Sequence, residues 1–167
     1  QEALHLENQA RNLLDIARRL TSSGDVELIL SQIVKDTTRL FKVGGCLISL
    51  YDTDKITLVT KAGSLNPDEM KVSSLEELTL PGAGNSGIGD ILEGDKPVML
   101  MNLAQDKIRL PPWIKKIGEK GLLLVPLKTE KEKIGLVFLF EKLDSSVFNE
   151  EQIRLATGYA EIVSRVL

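Results

Sequence analysis

Hydrophobic residues have the spacing of a helix in some segments of the chain and the pattern of a strand in others. Apolar residues recur every three or four positions over residues 26–41 and 149–167, which predicts two amphipathic helices. Short apolar runs bounded by turn residues predict a set of strands. These strands are expected over residues 44–52, 55–63, 96–102, 121–127 and 133–141.

The segments between these elements are shorter or more polar. Residues 75–80 are expected to form a short strand, and residues 87–94 a short helix. Residues 103–120 form a polar loop or helix that holds Trp113 behind two prolines. Tight turns join at least two strand pairs, whereas parallel strands would need a helix between them. The sequence therefore predicts an α+β fold with a mostly antiparallel sheet and helices beside it.

Residues 1–22 carry a heptad repeat. Alanine recurs every seven residues and leucine recurs at the same spacing three positions later, which predicts a helix with an apolar seam. We expect this seam to form a homodimer through Leu6, Ala10, Leu13, Ala17 and Leu20.

The last helix, residues 149–167, has two interleaved apolar sets, although the helix of a lone domain needs only one. One set is therefore assigned to the domain core and the other to a partner. Ala156, Ala160 and Val163 are placed in the dimer interface. The expected organisation is a signalling and dimer helix over residues 1–22 followed by a domain over residues 23–167.

Composition argues against several classes of protein. The chain has 167 residues, with 21 basic and 24 acidic side chains in no dense block, and its aromatic content is 4%. Nucleic-acid binders need a basic face or stacking aromatics, so no nucleic-acid partner is expected. Apolar runs reach about seven residues, against the roughly 20 that span a bilayer, so no membrane span is expected in this segment. One cysteine and the absence of a signal peptide favour a cytoplasmic piece of a larger protein.

The motif Gly82-x-Gly84-x-x-Gly87 has the spacing of a dinucleotide-binding fingerprint. That fingerprint follows a buried strand and opens a long helix whose N-terminus holds the pyrophosphate. Here a polar segment ending in Pro81 precedes it, and Asn102 stands where an acidic residue should hold the ribose. The glycines are interpreted as turn residues around a short helix, not as an NAD site.

Three segments resemble, in order, successive signature blocks of the GAF domain: SGIGDILEGDKPVMLMNL, GLLLVPLKTEKEKIGLVFLFEK and FNEEQIRLATGYAEIVSRVL. The opening helix and the strand ISLYD are similar to the family as well, so the resemblance covers nearly the whole chain. It implies a PAS-like antiparallel sheet of about six strands. Terminal helices would cover one face, and short helices and loops would cover a ligand pocket on the other. Members of the family are regulatory input modules of signalling proteins.

The ligand-specific signatures of that family are matched only in part. Cyclic-nucleotide-binding relatives carry an Asn-Lys…Phe…Asp-Glu signature, of which this chain has Lys142 and Phe148. Bilin-binding relatives use a cysteine on the pocket side, whereas Cys46 opens a strand and is expected in the core. Haem would need an internal histidine, and the single His5 belongs to the first helix. The cofactor is therefore left unknown, without support for bilin, haem or NAD, and no metal site is assigned.

The remaining expectation is an apolar pocket with few polar anchors. By strand period, two methionines of one strand share a face, and a tryptophan serves as a lid. The proposed ligand-binding residues are Ser49, Tyr51, Ile88, Met99, Met101 and Trp113.

The expected function is that of a cytoplasmic sensory domain of a larger signal-transduction protein. It would bind an unidentified small molecule, dimerise through its terminal helices, or do both, and so regulate a linked output domain. The alternative is a ligand-free dimerisation and spacer module that transmits signals between neighbouring domains. No combination of nucleophile, base and oxyanion donors stands out, so an enzyme is not expected.

Overall fold

A computed structural model describes residues 26–64, 67, 71–81, 88–94, 96–100, 111–117, 121–142 and 148–167. The helices of this part of the chain are α1 (Val26–Phe41), α2 (Ile88–Glu93), α3 (Pro112–Ile117) and α4 (Glu150–Val166). Its strands are β1 (Val43–Asp52), β2 (Thr57–Gly63), β3 (Thr79–Pro81), β4 (Val98–Leu100), β5 (Leu122–Lys128) and β6 (Lys133–Lys142). The heptad seam predicted in residues 1–22 lies outside the described residues.

The strands form one antiparallel sheet in the order β3–β2–β1–β6–β5–β4. Both predicted hairpins, β1–β2 and β5–β6, are present, and β1 pairs with β6 at the centre. The pairing of β1 with β2 shifts register between Ile48 and Ser49, and that of β5 with β6 shifts between Leu127 and Lys128. The α+β fold with an antiparallel sheet of about six strands is confirmed.

The two terminal helices, α1 and α4, cover one face of the sheet, which we call the terminal-helix face. Successive side chains of a strand point to opposite faces, so alternate residues of β1, β5 and β6 reach it. The buried cluster on this face includes Ile33, Phe41, Cys46, Ile48, Leu123, Val125, Leu139, Phe148, Tyr159 and Val163.

The opposite face, which we call the short-helix face, is covered by α2 and α3. Its buried cluster includes Leu47, Leu58, Leu80, Ile91, Leu92, Leu100, Ile114, Leu122, Leu124, Leu136, Phe138 and Phe140. Because helices cover both faces, β5 and β6 are apolar along most of their length instead of alternating with polar residues. The arrangement expected from the GAF resemblance, with terminal helices on one side and short helices on the other, is confirmed.

Helix α4 begins where its sequence predicts. The Gln152 backbone N–H donates to Asn149 Oδ1 at 2.8 Å, and the Asn149 backbone N–H donates to Gln152 Oε1 at 3.1 Å. This capping box satisfies two backbone donors at a helix end and fixes the first residue of the helix.

One local prediction is corrected, and one alternative that the sequence left open is decided. Residues 75–80 are not one strand, because Leu75–Glu77 forms a 3₁₀ turn before the three-residue β3. Of the loop or helix expected around Trp113, the structure shows a helix, α3, and Pro112 is the first residue of that helix. Proline favours this position because its fixed φ suits the helix and its missing N–H would have no intrahelical partner there.

The assignment of Ala156, Ala160 and Val163 to a dimer interface is wrong. These residues are 2%, 7% and 0% exposed and belong to the terminal-helix cluster of their own chain. The apolar period of α4 identifies two sets of residues but not which set faces the sheet. The sheet side takes these small residues together with Tyr159 of the other set, while Leu155 and Ile162 of that set are half-buried.

A close approach between β1 and β6 requires a glycine at position 135. A Cβ atom built on Gly135 would collide with the backbone carbonyl oxygen of Ser49. Backbone atoms at the centre of a paired sheet cannot move aside without breaking the ladder. By contrast, a Cβ on Gly94 would meet its nearest neighbours, carbonyl oxygens of α2, at 3.5 Å.

We expect Gly135→Ala to lower the free energy of unfolding by about 1–3 kcal/mol, as overpacked cores do. Gly94→Ala is the matched control and should change it by no more than about 1 kcal/mol, because its added methyl group meets ordinary contacts. Equilibrium urea unfolding of both variants measures the difference. Equal stability of the two variants would contradict the assigned approach of β1 to β6.

Candidate functional site

The candidate site is the short-helix face, where two of the predicted ligand-binding residues lie on β1. Ser49 and Tyr51 alternate with Leu50, which packs against the terminal-helix cluster. Ser49 is 1% exposed, whereas Tyr51 is half-buried at the border of the short-helix cluster. The two side chains share a face, but only Tyr51 is accessible.

The Ser49 hydroxyl belongs to a buried polar chain. Thr60 Oγ1 donates its single proton to the Leu78 carbonyl oxygen at 2.8 Å. Ser49 must therefore be the donor in its contact with Thr60 Oγ1, at 3.0 Å. This chain ties β1 to β2 and to the residue that precedes β3. The Ser49 proton is thus engaged within the protein and does not face a ligand.

Polar contacts hold the C-terminal end of α2 against the β5–β6 hairpin. Lys133 forms an ion pair with the Glu93 carboxylate, and Lys128 Nζ donates to the Glu93 carbonyl oxygen at 2.8 Å. The hydrogen bond between the two side chains lowers the pKa of Glu93 and raises that of Lys133. Lys133 Nζ also lies 5.8 Å from the centroid of the Tyr51 ring, within cation–π range. These contacts fix one end of α2 beside Tyr51.

Lys133 reaches this face because of the register shift in the β5–β6 hairpin. Leu136 and Phe138 lie on the short-helix face, so strict alternation would place Ile134 there as well. Instead, Ile134 packs against the terminal-helix cluster, and Lys133 turns toward α2. Sequence reasoning missed Lys133 because a bulge cannot be located from alternation alone.

Trp113 lies on the short-helix face, above its aromatic floor. Its ring centroid is 6.1 Å from that of Phe138, with the planes tilted by 48°. Ile114 and Ile117 on the same helix are buried, whereas Trp113 is half-buried. α3 thus presents Trp113 at the edge of the cluster, the position that a lid would need.

Met99 is on the wrong face for the predicted pocket. It pairs with Leu123 and packs against the terminal-helix cluster, while Val98 and Leu100 point to the short-helix face. The side chains of β4 alternate as predicted, but the prediction assigned them to the opposite faces. The strand has only three residues, which are too few to show which face is which. Met101 lies outside the described residues. Ile88 is the first residue of α2, and its side chain is likewise not among those described.

Several polar groups lie beneath α1 and α4, away from the candidate site. Cys46 is fully buried, as predicted for a core residue, and burial raises the pKa of its thiol to about 12. Burial also raises the pKa of Asp36, against a hydrogen bond from Gln32, and the pKa of Tyr159. A cavity of about 10 Å³ beside Tyr159 and Thr37 has room for one water molecule and not for an organic ligand. Within the described part of the chain, no three His, Cys, Asp or Glu side chains are grouped to hold a metal ion.

The fold defines the chain as an α+β domain with one antiparallel sheet between long and short helices. The sequence profile of the GAF domain family matches residues 23–167. The chain therefore belongs to the GAF domain family, whose members are sensory and regulatory domains of signalling proteins. A comparison with curated proteins finds no significant match. Among the described residues, no helix has the length and apolar character needed to cross a membrane.

Several solved structures share this fold. The GAF domain of an Acinetobacter phosphoenolpyruvate-protein phosphotransferase is 19% identical, with a TM-score of 0.68, covering 97% of this chain and 92% of that one. A fragment of a methyl-accepting chemotaxis protein is 17% identical, with a TM-score of 0.70 and coverage of 90% and 93%. The GAF-B domain of DevS from Mycobacterium smegmatis is 17% identical, with a TM-score of 0.62 and coverage of 85% and 92%. At these identities the likeness shows the fold alone.

The polar chain beneath the site gives a prediction about stability. Ser49→Ala should lower the free energy of unfolding by about 1 kcal/mol, because it removes one buried hydrogen bond. Thr60→Val should lower it by about 1–3 kcal/mol, because it leaves the Ser49 hydroxyl without an acceptor. The double variant should cost less than the sum, because it leaves no orphaned hydroxyl. A double-mutant cycle by urea unfolding measures this coupling.

Ser31→Ala, at an exposed position of α1, is the control and should change stability by no more than about 0.5 kcal/mol. Additive effects of Ser49→Ala and Thr60→Val would show that the two hydroxyls do not interact.

Proposed function

We propose that this chain is the sensory GAF domain of a larger signalling protein and that it binds a small molecule on the short-helix face. The observation that carries the proposal is the unequal cover of the sheet. The terminal helices have 16 and 17 residues, whereas α2 and α3 have six residues each. Short elements bury few side chains and open locally at a lower free-energy cost than long ones.

The chemistry of the face favours a largely apolar ligand with few polar contacts. Leucine and phenylalanine side chains make up most of the floor, with Phe138 beneath the half-buried Trp113. The polar groups at the border are the Tyr51 hydroxyl and Lys133, since the Ser49 hydroxyl is already engaged. Ligand sites typically combine such an apolar lining with a small number of polar groups that orient the ligand.

Signalling requires that the ligand bind two arrangements of the domain with different affinities, because equal affinity shifts no equilibrium. A ligand seated between the sheet and α2 or α3 would change how these helices lie on the sheet. The Lys133–Glu93 ion pair joins α2 to β6, and β6 pairs with β1 at the centre of the sheet. In this proposal the domain has no catalytic step of its own. It acts in the cytoplasm through neighbouring domains.

Native mass spectrometry of the purified 167-residue chain, followed by the same sample denatured, tests the ligand. We expect added mass that is lost on denaturation, together with a change in the emission of Trp113, the single tryptophan of the chain. A chain of sequence mass alone, whose Trp113 emission is unchanged by the small-molecule fraction of a cell extract, would contradict the proposal. That result would favour the ligand-free spacer function.

A matched pair of variants separates ligand binding from stability in this experiment. Phe138 and Phe41 are both buried, but Phe138 lies on the short-helix face and Phe41 on the terminal-helix face, against Tyr159. Phe138→Leu and Phe41→Leu should both destabilise the domain, and only Phe138→Leu should reduce the retained ligand. Equal ligand loss in both variants would show that the binding site is elsewhere.

We also propose that the domain forms a homodimer through the heptad of residues 1–22, together with the outer side of α4. The heptad seam supports this proposal from the sequence. On α4, Leu155 and Ile162 are half-buried apolar residues that a neighbouring helix would cover. This contact would transmit a change in the domain to the rest of the protein.

Leu13→Glu should weaken the dimer by at least about tenfold, because it places a charge in the apolar seam. Asn12→Glu adds the same charge one residue away from the seam and should leave the dimer affinity nearly unchanged. Sedimentation equilibrium measures both. Equal affinities in the two variants would exclude the seam as the interface.

A further inference from the structure

A groove of about 880 Å³ lies at the free edge of β5, apart from the short-helix cluster. β4 pairs with β5 only as far as Leu124, so the residues from Pro126 to Lys128 have no β4 neighbour among the described residues. The groove is bordered by the segment after α2, by the β5–β6 hairpin and by the second half of α4. Three separate parts of the fold therefore meet around it.

Basic side chains outnumber acidic ones around this groove. Of the described residues that line it, four are Lys or Arg and two are Glu. Lys96, Lys131 and Arg165 are exposed, and their side chains form no ion pair within the described part of the chain. Charges that converge on a concave surface without partners attract an anion.

Ser164 adds a buried donor to the same groove. The residue is 4% exposed, and its hydroxyl has no hydrogen-bond partner within the described part of the chain. Buried hydroxyls are nearly always satisfied, so an unsatisfied one that lines a groove indicates a missing acceptor. Alanine occupies the equivalent position one turn earlier, at Ala160, so the helix does not need a hydroxyl at position 164 for its own packing.

We propose that this groove binds a small organic molecule with a single phosphate or carboxylate group. Lys96, Lys131 and Arg165 would neutralise the anion, and Ser164 would donate a hydrogen bond to the ligand. The volume falls within the range of small-molecule sites. This proposal is independent of the ligand on the short-helix face.

The same groove is unsuited to a peptide strand or to a run of acidic residues. Pro126 has no N–H to offer an added strand, which is how natural sheets protect their edges. Glu130 and Glu161, which also line the groove, would repel a series of carboxylates. One localised anionic group on an otherwise neutral molecule meets both constraints.

The position of the groove gives its ligand a route to the output of the domain. It joins the β5–β6 hairpin to Glu161, Ser164 and Arg165 near the C-terminal end of α4. A ligand that contacts both sides would favour one position of α4 relative to the sheet.

Nuclear magnetic resonance of the ¹⁵N-labelled 167-residue chain tests this site. The probes are inorganic phosphate, glycerol 3-phosphate and the monocarboxylate lactate, titrated separately at constant ionic strength against sodium chloride. We expect saturable shifts of the Ser164 and Thr157 amides at millimolar concentrations. Saturation with the phosphates alone would identify a phosphate site, and saturation with lactate alone a carboxylate site.

Variants distinguish a specific site from general attraction to a basic surface. Lys131→Gln should weaken binding about tenfold, whereas Lys35→Gln, an equal charge change on the exposed side of α1, should change it less than about twofold. Ser164→Ala should weaken binding about fivefold without lowering the melting temperature, because it removes an unsatisfied hydroxyl.

Three results would overturn the proposal. The first is the absence of a saturable shift at Ser164 with any of the three probes. The second is equal weakening by Lys131→Gln and Lys35→Gln. The third is a response confined to the Trp113 side chain, which would assign the anion to the short-helix face and leave the groove without a ligand.

Discussion

The antiparallel pairing of β1 with β6 is the contact on which the rest of the domain depends. β1 and β6 are distant in sequence. Each of them also pairs on its other side with its own hairpin partner, β2 or β5. The backbones approach so closely that Gly135 has no room for a side chain beside Ser49. Because both faces of this pair are buried, its side chains supply the floor of two separate clusters, with Ile48 on one side and Leu47 on the other. A change in the packing of helices on one face of the sheet therefore affects strands that also form the other face.

The two faces of the sheet differ in the elements that cover them, and this difference underlies the proposed function. Long helices α1 and α4 bury small and aromatic residues such as Val163 and Phe41 on one face. On the other, α2 and α3 have only six residues each, and their positions rest on a few contacts, including the Lys133–Glu93 ion pair and the tilted packing of Trp113 on Phe138. A domain built in this way can keep its helical scaffold while a ligand rearranges the short-helix face. The groove at the β5 edge lies beside the scaffold instead, so an anion there would act on α4 directly.

The sequence could predict the residues of the candidate site only where side chains alternate regularly between the two faces of a strand. Ser49 and Tyr51, both chosen from the sequence, lie on one face, and the short helix after Gly87 and the tryptophan of residues 103–120 lie on that face as well. Met99 was placed on the wrong face because β4 offers only three residues of pattern. Lys133 was missed because a bulge between it and Leu136 reverses the side to which its side chain points. Thr60 was missed because only the register of β2 against β1 places it opposite Ser49. The Ser49 hydroxyl donates to Thr60, so its hydrogen bond could not be predicted without the register of β1 and β2.

The sequence by itself determined helices α1, α2 and α4 and the long strands, because these follow from local periodicity, capping residues and turn chemistry. Its signature segments indicated the family. The apolar period identified α1 to the residue, and Asn149 with Gln152 identified the start of α4. Only the tertiary structure decided which side of α4 meets the sheet, since its two apolar sets are equivalent until a neighbour is present. It also decided where β5 remains unpaired and how Lys96, Lys131 and Arg165 come to border one groove. Those relations join residues far apart in the chain, and local pattern carries no information about such distances.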